Sequence, residues 1–289
     1  MSKIDLGDYI NQIPSNNLGI DMGQTLSKLA YIEGNELTLH TFPTQEEISL
    51  IEKDLKSKEG QFSEYNFTGG RSYNLFSEFS KKFKTNLINE FEANALGIKF
   101  LYNLEKKKDL PRSLIVSIGT GTSIVLLDEN FKHLGGSALG GGFFMGIIKA
   151  LFNINDFNEA IDLAKKGNRY KVDLKVSDIY SAEDNRIDSI FREFTAASLG
   201  KINYDFNMNS LAKEDFINSI ISMIGENIGT IAINMSDINI VKNIVFCGGV
   251  LIENRILKQI LSLLCKFNGK KAIFLKNSEY CAAIGALLF

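Results

Sequence analysis

The apolar positions of the chain change from short runs and alternation, typical of strands, to the three- and four-residue spacing typical of helices. Before residue 113 the predicted strands cover 18–20, 29–32, 37–42 and 65–68, and the predicted helices cover 48–58 and 90–104. A hairpin turn is expected at 33–36, where Gly34 and Asn35 separate two strands. Strands that are followed by helices in this way predict an α/β lobe.

The second part of the chain repeats this order. Its predicted strands cover 113–118, 123–127, 243–247 and 272–275, and its predicted helices cover 143–152, 157–167, 212–235, 254–267 and 278–288. Pro111 marks the join, because it precedes the continuously apolar run 113–118 that is typical of a strand buried on both faces. We therefore predict a leader over 1–17, an N-terminal lobe over 18–112 and a C-terminal lobe over 113–289, with a nucleotide cleft between the duplicated lobes.

The overall composition narrows the possible function classes. With 289 residues, of which 45% are hydrophobic and 23% are charged, the chain is long enough for two lobes around a cleft. A net charge of −2 gives no global basic field, so nucleic acid and anionic membranes are not expected as partners. Three cysteines and two histidines fit no metal-binding spacing, and neither a signal peptide nor a transmembrane run is recognisable. We expect a reduced, cytoplasmic protein.

The first candidate chemical motif is the glycine-bearing turn within residues 19–28. Gly23 lets backbone N–H groups approach a phosphate without a Cβ in the way. Asp21 can hold Mg²⁺ directly or through water, and Thr25 can donate a hydrogen bond to a phosphate. Lys28 adds a positive charge for the β- and γ-phosphates of ATP. The same residues also fit a plain hairpin with an aspartate at the strand end.

The second motif alternates glycine with hydroxyl residues directly after the predicted buried strand. Gly119, Thr120, Gly121 and Thr122 would place several hydroxyl groups on one tight turn, which forms a neutral cradle for an anion. An ordinary β-turn is the alternative, but the presence of the first motif favours the phosphate loop.

Two further glycine clusters follow. Gly140, Gly141 and Gly142 precede the predicted helix 143–152, where free N–H groups at a helix N-terminus could bind a nucleotide. A flexible loop is the alternative for these three residues. Gly249 follows the predicted strand 243–247 and could pass close to the adenine or ribose, although a plain turn fits it almost as well.

A kinase also needs a group that accepts the proton of the attacking hydroxyl. Glu90 and Glu92 both lie at the start of the predicted helix 90–104. Either carboxylate could instead act only as a favourable charge at the helix N-terminus. Spacing alone does not choose between the two residues.

Together these motifs resemble one known family, the type II pantothenate kinases of the eukaryotic and staphylococcal type. The resemblance covers 18–289 and rests on the motifs Gly19-Ile20-Asp21-x-Gly23-x-Thr25-Leu26-x-Lys28, Thr68-Gly69-Gly70, Glu90-Phe91-Glu92-Ala93, Gly119-Thr120-Gly121-Thr122-Ser123, Gly140-Gly141-Gly142 and Asp173-Leu174-Lys175-Val176-Ser177-Asp178-Ile179-Tyr180. It implies the two-lobe actin-like (ribonuclease H-like) ATPase fold of the superfamily that includes sugar kinases, Hsp70 and actin.

The resemblance also implies an activity: phosphorylation of the primary hydroxyl of pantothenate by ATP with Mg²⁺, the first step of coenzyme A biosynthesis. It implies a homodimer with helix 212–235 at the interface, and coenzyme A or its acyl derivatives as possible inhibitors. Glu90 corresponds to the general base, and Thr122 and His133 are assigned to the acceptor. The expected ATP-binding residues are Asp21, Gly23, Gln24, Thr25, Lys28, Gly119, Thr120, Gly121, Gly140, Gly141, Gly142, Phe157 and Gly249.

Two residues depart from the pattern of that family. Gln24 replaces the second glycine of the first turn, and His133 stands where an arginine is usual. These departures leave two alternatives: a kinase of the same superfamily that acts on an N-acetylhexosamine, or a weakly active regulator that binds nucleotide or coenzyme A.

Overall fold

The computed structural model describes residues 2–43, 61–186 and 188–289, and the predicted helix over 48–58 lies outside these residues. The strands are β1 Ser2–Asp5, β2 Asn17–Met22, β3 Leu26–Glu33, β4 Glu36–Pro43, β5 Glu64–Thr68, β6 Lys84–Leu87, β7 Ser113–Ile118, β8 Thr122–Leu127, β9 Phe131–Ser137, β10 Leu174–Lys175, β11 Thr195–Ala197, β12 Asn243–Cys247 and β13 Lys271–Phe274. The α-helices are α1 Tyr73–Phe79, α2 Glu90–Lys106, α3 Gly141–Phe152, α4 Phe157–Lys166, α5 Lys213–Ile238, α6 Arg255–Phe267 and α7 Cys281–Leu287.

The two large sheets have the same strand arrangement. The first has the order β1-β4-β3-β2-β5-β6 and the second the order β13-β12-β7-β8-β9. In each sheet an antiparallel meander of three strands is joined by two strands parallel to the first strand of the meander. This common order confirms the predicted duplicated α/β architecture.

The predicted leader is part of the first lobe. Strand β1 pairs antiparallel with β4, with Ser2 opposite Leu39, and so widens the sheet by one strand. Leu6 and Ile13, which flank the 3₁₀ helix Gly7–Gln12, are buried in the core. The short leader strand carries few apolar residues, so its pattern did not distinguish it from a loop.

Two further elements of the first lobe were not predicted. Helix α1 is only seven residues long, and β6 has two half-buried central residues between exposed ends, without an apolar run. Both are held by an aromatic cluster in which the Tyr65 ring lies 5.5 Å from that of Phe79 and 5.1 Å from that of Phe83. These contacts join residues that are distant in sequence, so local spacing does not reveal them.

Helix α5 is the central core helix of the second lobe. It is long and apolar enough to cross a membrane by composition, but 67% of its most apolar stretch is buried inside the protein. Its isoleucines up to Ile233 pack in or against the core of the lobe, and Ile238 at the C-terminal end is exposed. The other exposed positions in the second half of the helix are polar: Asn227, Thr230, Asn234 and Asp237. The apolar face of α5, which predicted either burial or an interface, is therefore mostly buried against other parts of this chain.

The Asp173–Tyr180 motif helps to attach the segment between α4 and α5 to helix α5. Asp173 is fully buried and accepts hydrogen bonds from Arg169 Nε (2.6 Å) and from the backbone N–H of Leu199 (2.8 Å). The guanidinium of Arg169 also forms a two-pronged ion pair with Glu226 of α5, at 2.9 and 3.1 Å. The motif therefore has a structural role in which each buried charge has a partner.

The lobes are joined by a very close crossing of α2 and α7. A Cβ at Gly97 would lie 1.8 Å from the carbonyl oxygen of Cys281, and a Cβ at Gly285 would lie 1.8 Å from that of Ala93. Asn66 of β5 donates a hydrogen bond to the carbonyl oxygen of Ala286 (2.8 Å). Helix α7, which the sequence placed in the C-terminal lobe, therefore packs on the sheet of the N-terminal lobe.

This crossing predicts that Gly97→Ala lowers the free energy of unfolding by about 1–3 kcal/mol or more, because the new methyl group must push two backbones apart. Urea denaturation followed by circular dichroism measures the change. Gly146→Ala is the matched control, because Gly146 also lies in a helix and a Cβ there would have no heavy atom of another element within 4 Å. The control is expected to gain about 0.5–1 kcal/mol, and equal stability of the two variants would contradict the close crossing.

Candidate active site

A cavity of about 560 Å³ lies in the cleft between the two sheets. It is lined by both glycine turns, by the first turn of α2 and by the start of α7. The predicted site residues that line it are Asp21, Gly23, Gln24, Thr25, Lys28, Glu90, Gly119, Thr120, Gly121, Thr122, Gly141, Gly142, Phe157 and Gly249. Gly140 and His133 are outside this lining.

The first turn joins β2 to β3 and places Asp21 directly opposite Lys28 in the antiparallel pair. Lys28 Nζ donates a hydrogen bond to Asp21 Oδ2 at 3.3 Å, and both side chains are largely buried. Burial disfavours the charged ammonium, but the combined interactions with Asp21, Cys281 and Glu279 outweigh it and raise the pKa of Lys28 above its ordinary value. Lys28 therefore stays positively charged beside the cavity and partly neutralises Asp21.

The second turn joins β7 to β8 and meets the first turn across the cleft. The hydroxyl oxygens of Thr25 and Thr120 lie 3.2 Å apart, which places one hydroxyl from each lobe side by side. Thr122 donates its hydroxyl hydrogen to the carbonyl oxygen of Leu139 (2.8 Å), so only its oxygen lone pairs remain for a ligand. Thr25 and Thr120 are thus the more available hydroxyl groups.

Gly141 and Gly142 at the start of α3 line the cavity, but their N–H groups form hydrogen bonds within the chain. The N–H groups of Gly141 and Gly142 donate to the carbonyl oxygens of Gly119 (2.8 Å) and Thr120 (2.9 Å), so they are not free for a nucleotide. A Cβ at Gly140 would lie 2.7 Å from the carbonyl oxygen of Thr120. These glycines let the helix start pack directly on the second turn and hold it in place.

The two candidate carboxylates at the start of α2 are separated by the structure. The side chain of Asn89 caps the helix and accepts hydrogen bonds from the N–H groups of Phe91 (2.9 Å) and Glu92 (3.4 Å). In this first turn Glu90 lines the cavity and Glu92 does not. Glu90 is therefore the carboxylate that is placed to meet a ligand in the cleft.

The exposed surface of Glu90 faces the cavity, and the surrounding protein still removes much of its solvation. Desolvation raises the pKa of Glu90, the negative charge of Asp21 raises it further, and the positive charge of Lys28 opposes both effects. A carboxylate with a raised pKa is a stronger proton acceptor than an ordinary surface glutamate.

Several residues of the cavity were missed because they come from α7 or from later turns of α2. Cys281 donates a hydrogen bond from its thiol to Asn94 Oδ1 (2.8 Å), and both residues line the cavity. A hydrogen bond with Cys247 and complete burial raise the pKa of Cys281, which keeps it a neutral thiol. Glu279 also lines the cavity. No local motif marks Asn94 and Cys281, since they meet in the cleft through the crossing of α2 and α7, and Glu279 lies in the 3₁₀ helix Ser278–Tyr280 directly before α7.

His133 lies beside the cavity rather than in its wall. Its imidazole is stacked on the ring of Phe91, with centroids 3.9 Å apart and planes inclined by 12°. Phe91 itself lines the cavity.

The described residues fit a magnesium ion held by nucleotide phosphates. Within ranges 2–43, 61–186 and 188–289 there is no group of three or more His, Cys, Asp or Glu side chains that could hold a metal alone. Asp21 supplies one carboxylate in the cavity, and its Oδ2 is shared with Lys28. Mg²⁺ in phosphoryl-transfer sites typically takes one or two carboxylates together with substrate phosphates.

Comparison with known sequences identifies relatives over nearly the whole chain. A model of the Fumble family matches residues 33–289. A protein of Bacillus cereus described as a type II pantothenate kinase is 32% identical over 277 residues, which cover 95% of this chain and 97% of the relative. A type II pantothenate kinase of Oceanobacillus iheyensis is 35% identical over 94% of this chain and 98% of its own length.

Solved structures with low sequence identity share the fold. An activator of 2-hydroxyisocaproyl-CoA dehydratase from Clostridium difficile, with bound ADPNP, superposes with a TM-score of 0.62 at 16% identity over 94% of this chain and 92% of that chain. A ROK hexokinase from Thermus thermophilus has a TM-score of 0.54 at 12% identity over 94% of this chain and 96% of its own. These likenesses confirm the predicted two-lobe, actin-like ATPase fold.

The raised pKa of Glu90 makes a prediction about stability. A raised pKa means that the folded state disfavours the carboxylate, so ionised Glu90 costs stability at neutral pH and this cost vanishes below its ordinary pKa, where it is protonated in both states. Glu90→Gln is therefore expected to unfold at a higher urea concentration than the wild type at neutral pH, and to lose this advantage in acid.

The matched control is Glu92→Gln, which removes a charge from the same helical turn outside the cavity. Comparing the stability of Glu90→Gln with that of Glu92→Gln removes the favourable effect that any carboxylate has at a helix N-terminus. A Glu90→Gln variant that is less stable than Glu92→Gln at neutral pH would contradict the raised pKa.

Proposed function

The chain belongs to the family of type II pantothenate kinases, and we propose that it transfers the γ-phosphoryl group of ATP to the primary hydroxyl of pantothenate. This reaction is the first step of coenzyme A biosynthesis. The observation that supports it most directly is the position of Glu90, a carboxylate with a raised pKa in a cavity that both phosphate turns line. The proposal assigns Glu90 as the group that accepts the proton of the attacking hydroxyl.

The two turns would hold the nucleotide phosphates from opposite lobes. Thr25 and Thr120 can each donate a hydroxyl hydrogen to a phosphate oxygen once their mutual contact is replaced. Lys28 supplies a positive charge that reaches the cavity from β3. The apolar residues Met145, Phe157 and Val250, which also line the cavity, suit the adenine ring.

Magnesium belongs to the same proposal, with Asp21 as its carboxylate contact, either direct or through water. When bound, the metal would neutralise the charge that develops on the transferring phosphoryl group. Asp21 and Glu90 would otherwise repel the triphosphate, so a positive ion is needed in addition to Lys28.

Gln24 is compatible with this arrangement. Its side chain is exposed in the cavity between Gly23 and Thr25, where the carboxamide can donate a hydrogen bond to a phosphate oxygen. We propose that the side-chain amide of Gln24 makes a hydrogen bond to phosphate in place of a contact that the backbone would make if this residue were glycine.

The cellular context extends the proposal. We propose a cytoplasmic protein that assembles as a homodimer and responds to coenzyme A or acyl-coenzyme A as feedback inhibitors. The polar exposed stripe of α5, with Asn227, Thr230 and Asn234, would make an interface along this helix rich in hydrogen bonds. Light scattering of the purified chain measures the oligomeric state.

Replacement of the proposed base tests the function. Glu90→Gln is expected to lower pantothenate-dependent ADP release by about a hundredfold to ten-thousandfold, because proton transfer from the hydroxyl is lost. Glu92→Gln, in the same turn but outside the cavity, is expected to keep activity near that of the wild type. A coupled assay of ADP release with and without pantothenate gives both rates.

Two results would contradict the proposal. ADP release by the wild type that ignores pantothenate, or that needs an N-acetylhexosamine instead, would assign another acceptor. Tight ATP binding without transfer to any acceptor would favour the regulator.

Removal of the Asp21 carboxylate tests the metal site. Asp21→Asn is expected to raise the Mg²⁺ concentration required for half-maximal activity, because an amide oxygen binds the ion less tightly than a carboxylate. The measurement is a Mg²⁺ titration at saturating ATP and pantothenate, with Gln24→Ala as an uncharged control from the same turn. An unchanged Mg²⁺ requirement would limit Asp21 to its ion pair with Lys28.

A further inference from the structure

The stacked pair of Phe91 and His133 has no role in the function described so far. We propose that the ring of Phe91 binds the apolar carbon group beside the hydroxyl that is phosphorylated, and that His133 is a positioning residue for this ring. The inference rests on the proposed function and names the part of the acceptor that the site selects.

The position of Phe91 follows from the cap of α2. Asn89 accepts hydrogen bonds from the N–H groups of Phe91 and Glu92, which fixes the backbone of the first helical turn. Glu90 and Phe91 are consecutive in this turn, and both line the cavity. Atoms that adjoin a hydroxyl held by Glu90 are therefore within reach of the Phe91 ring.

The orientation of Phe91 depends on the other lobe. His133 lies on β9, the edge strand of the second sheet, and its imidazole covers one face of the phenyl ring at 3.9 Å and 12°. His133 is exposed and is not part of the cavity lining, whereas Phe91, on which it stacks, is. The flat stack holds the Phe91 ring against His133, while Phe91 also lines the cavity.

The chemistry of the acceptor matches an apolar surface at this point. The primary hydroxyl of pantothenate is attached to a CH₂ group, and the next carbon carries two methyl groups. The charged residues of the cavity lining in the described chain are Asp21, Lys28, Glu90 and Glu279, and none of them offers an apolar contact. Phe91 directly follows Glu90, so its ring is the apolar surface in the same helical turn.

The proposed contact between the Phe91 ring and the methyl groups can be removed either by changing the acceptor or by changing the protein. Pantothenate is compared with an analogue in which both methyl groups are replaced by hydrogen, and kcat/KM is measured for each with saturating ATP. The wild type is expected to lose about tenfold or more with the analogue, since each buried methylene contributes roughly this order of discrimination. In Phe91→Ala the loss is expected to shrink to less than about twofold, because the methyl groups no longer have a surface to bind.

Phe91 packs partly against the core, so its variants are checked for folding by urea denaturation. Phe91→Leu provides a second test, because it keeps apolar volume but removes the flat ring. It is expected to retain part of the discrimination between the two acceptors, and to leave the KM for ATP unchanged.

The variants of His133 test its positioning role. His133→Ala is expected to raise the KM for pantothenate about threefold to tenfold and to reduce the discrimination against the analogue, with the KM for ATP unchanged. His133→Phe, which keeps a flat ring but cannot carry charge, is expected to restore both values. Lys132→Ala is the matched control, because Lys132 is the exposed neighbour of His133 on the same strand.

The outcomes separate this inference from the proposed function. If the wild type fails to phosphorylate pantothenate, the proposed function is wrong, and with it the acceptor contact that rests on it. If the wild type phosphorylates pantothenate but Phe91→Ala discriminates between the acceptors as strongly as the wild type, the role of Phe91 is wrong. If His133→Phe fails to rescue what His133→Ala loses, the positioning role of His133 is wrong.

Discussion

The backbone contact between α2 and α7 is the constraint on which the site depends. Gly97 and Gly285 let the two helices approach until each main chain touches the other, and no side chain larger than hydrogen fits at either point. The same two helices carry Glu90 and Cys281 at their N-termini, and both of these residues line the cavity. The crossing therefore fixes the position of the proposed base Glu90 relative to Cys281 in the cavity.

The electrostatics of the cleft suit a ligand that arrives with its own cation. Asp21 and Glu90 are close enough for one negative charge to raise the pKa of the other, and Lys28 offsets only part of this repulsion. An ATP triphosphate without a metal would add further negative charge to the same space. Ionised Glu90 therefore costs stability in the protein alone, which is typical of functional sites.

Local spacing was sufficient for the larger elements and for the two glycine turns that line the cavity. The strand Asn243–Cys247 agrees with its prediction residue by residue, and α2 begins at Glu90 as expected. The glycines before α3 were recognised as important, but their N–H groups bind the second turn instead of a ligand. Sequence spacing shows where glycine is required, but it does not show which neighbouring backbone requires it. The choice between Glu90 and Glu92 was equally beyond spacing, since both residues share one helical turn.

The order of apolar residues and glycines predicts the duplicated α/β architecture, the two glycine turns and the resemblance to a kinase family, because each of these depends on residues within a short stretch. The folded chain decided what depends on distant contacts. It placed the leader strand on the first sheet, carried α7 from one lobe to the other, and brought Asn94 and Cys281 into the cavity. It also moved His133 from the cavity wall to a stack behind Phe91, a contact between two lobes that no local pattern encodes.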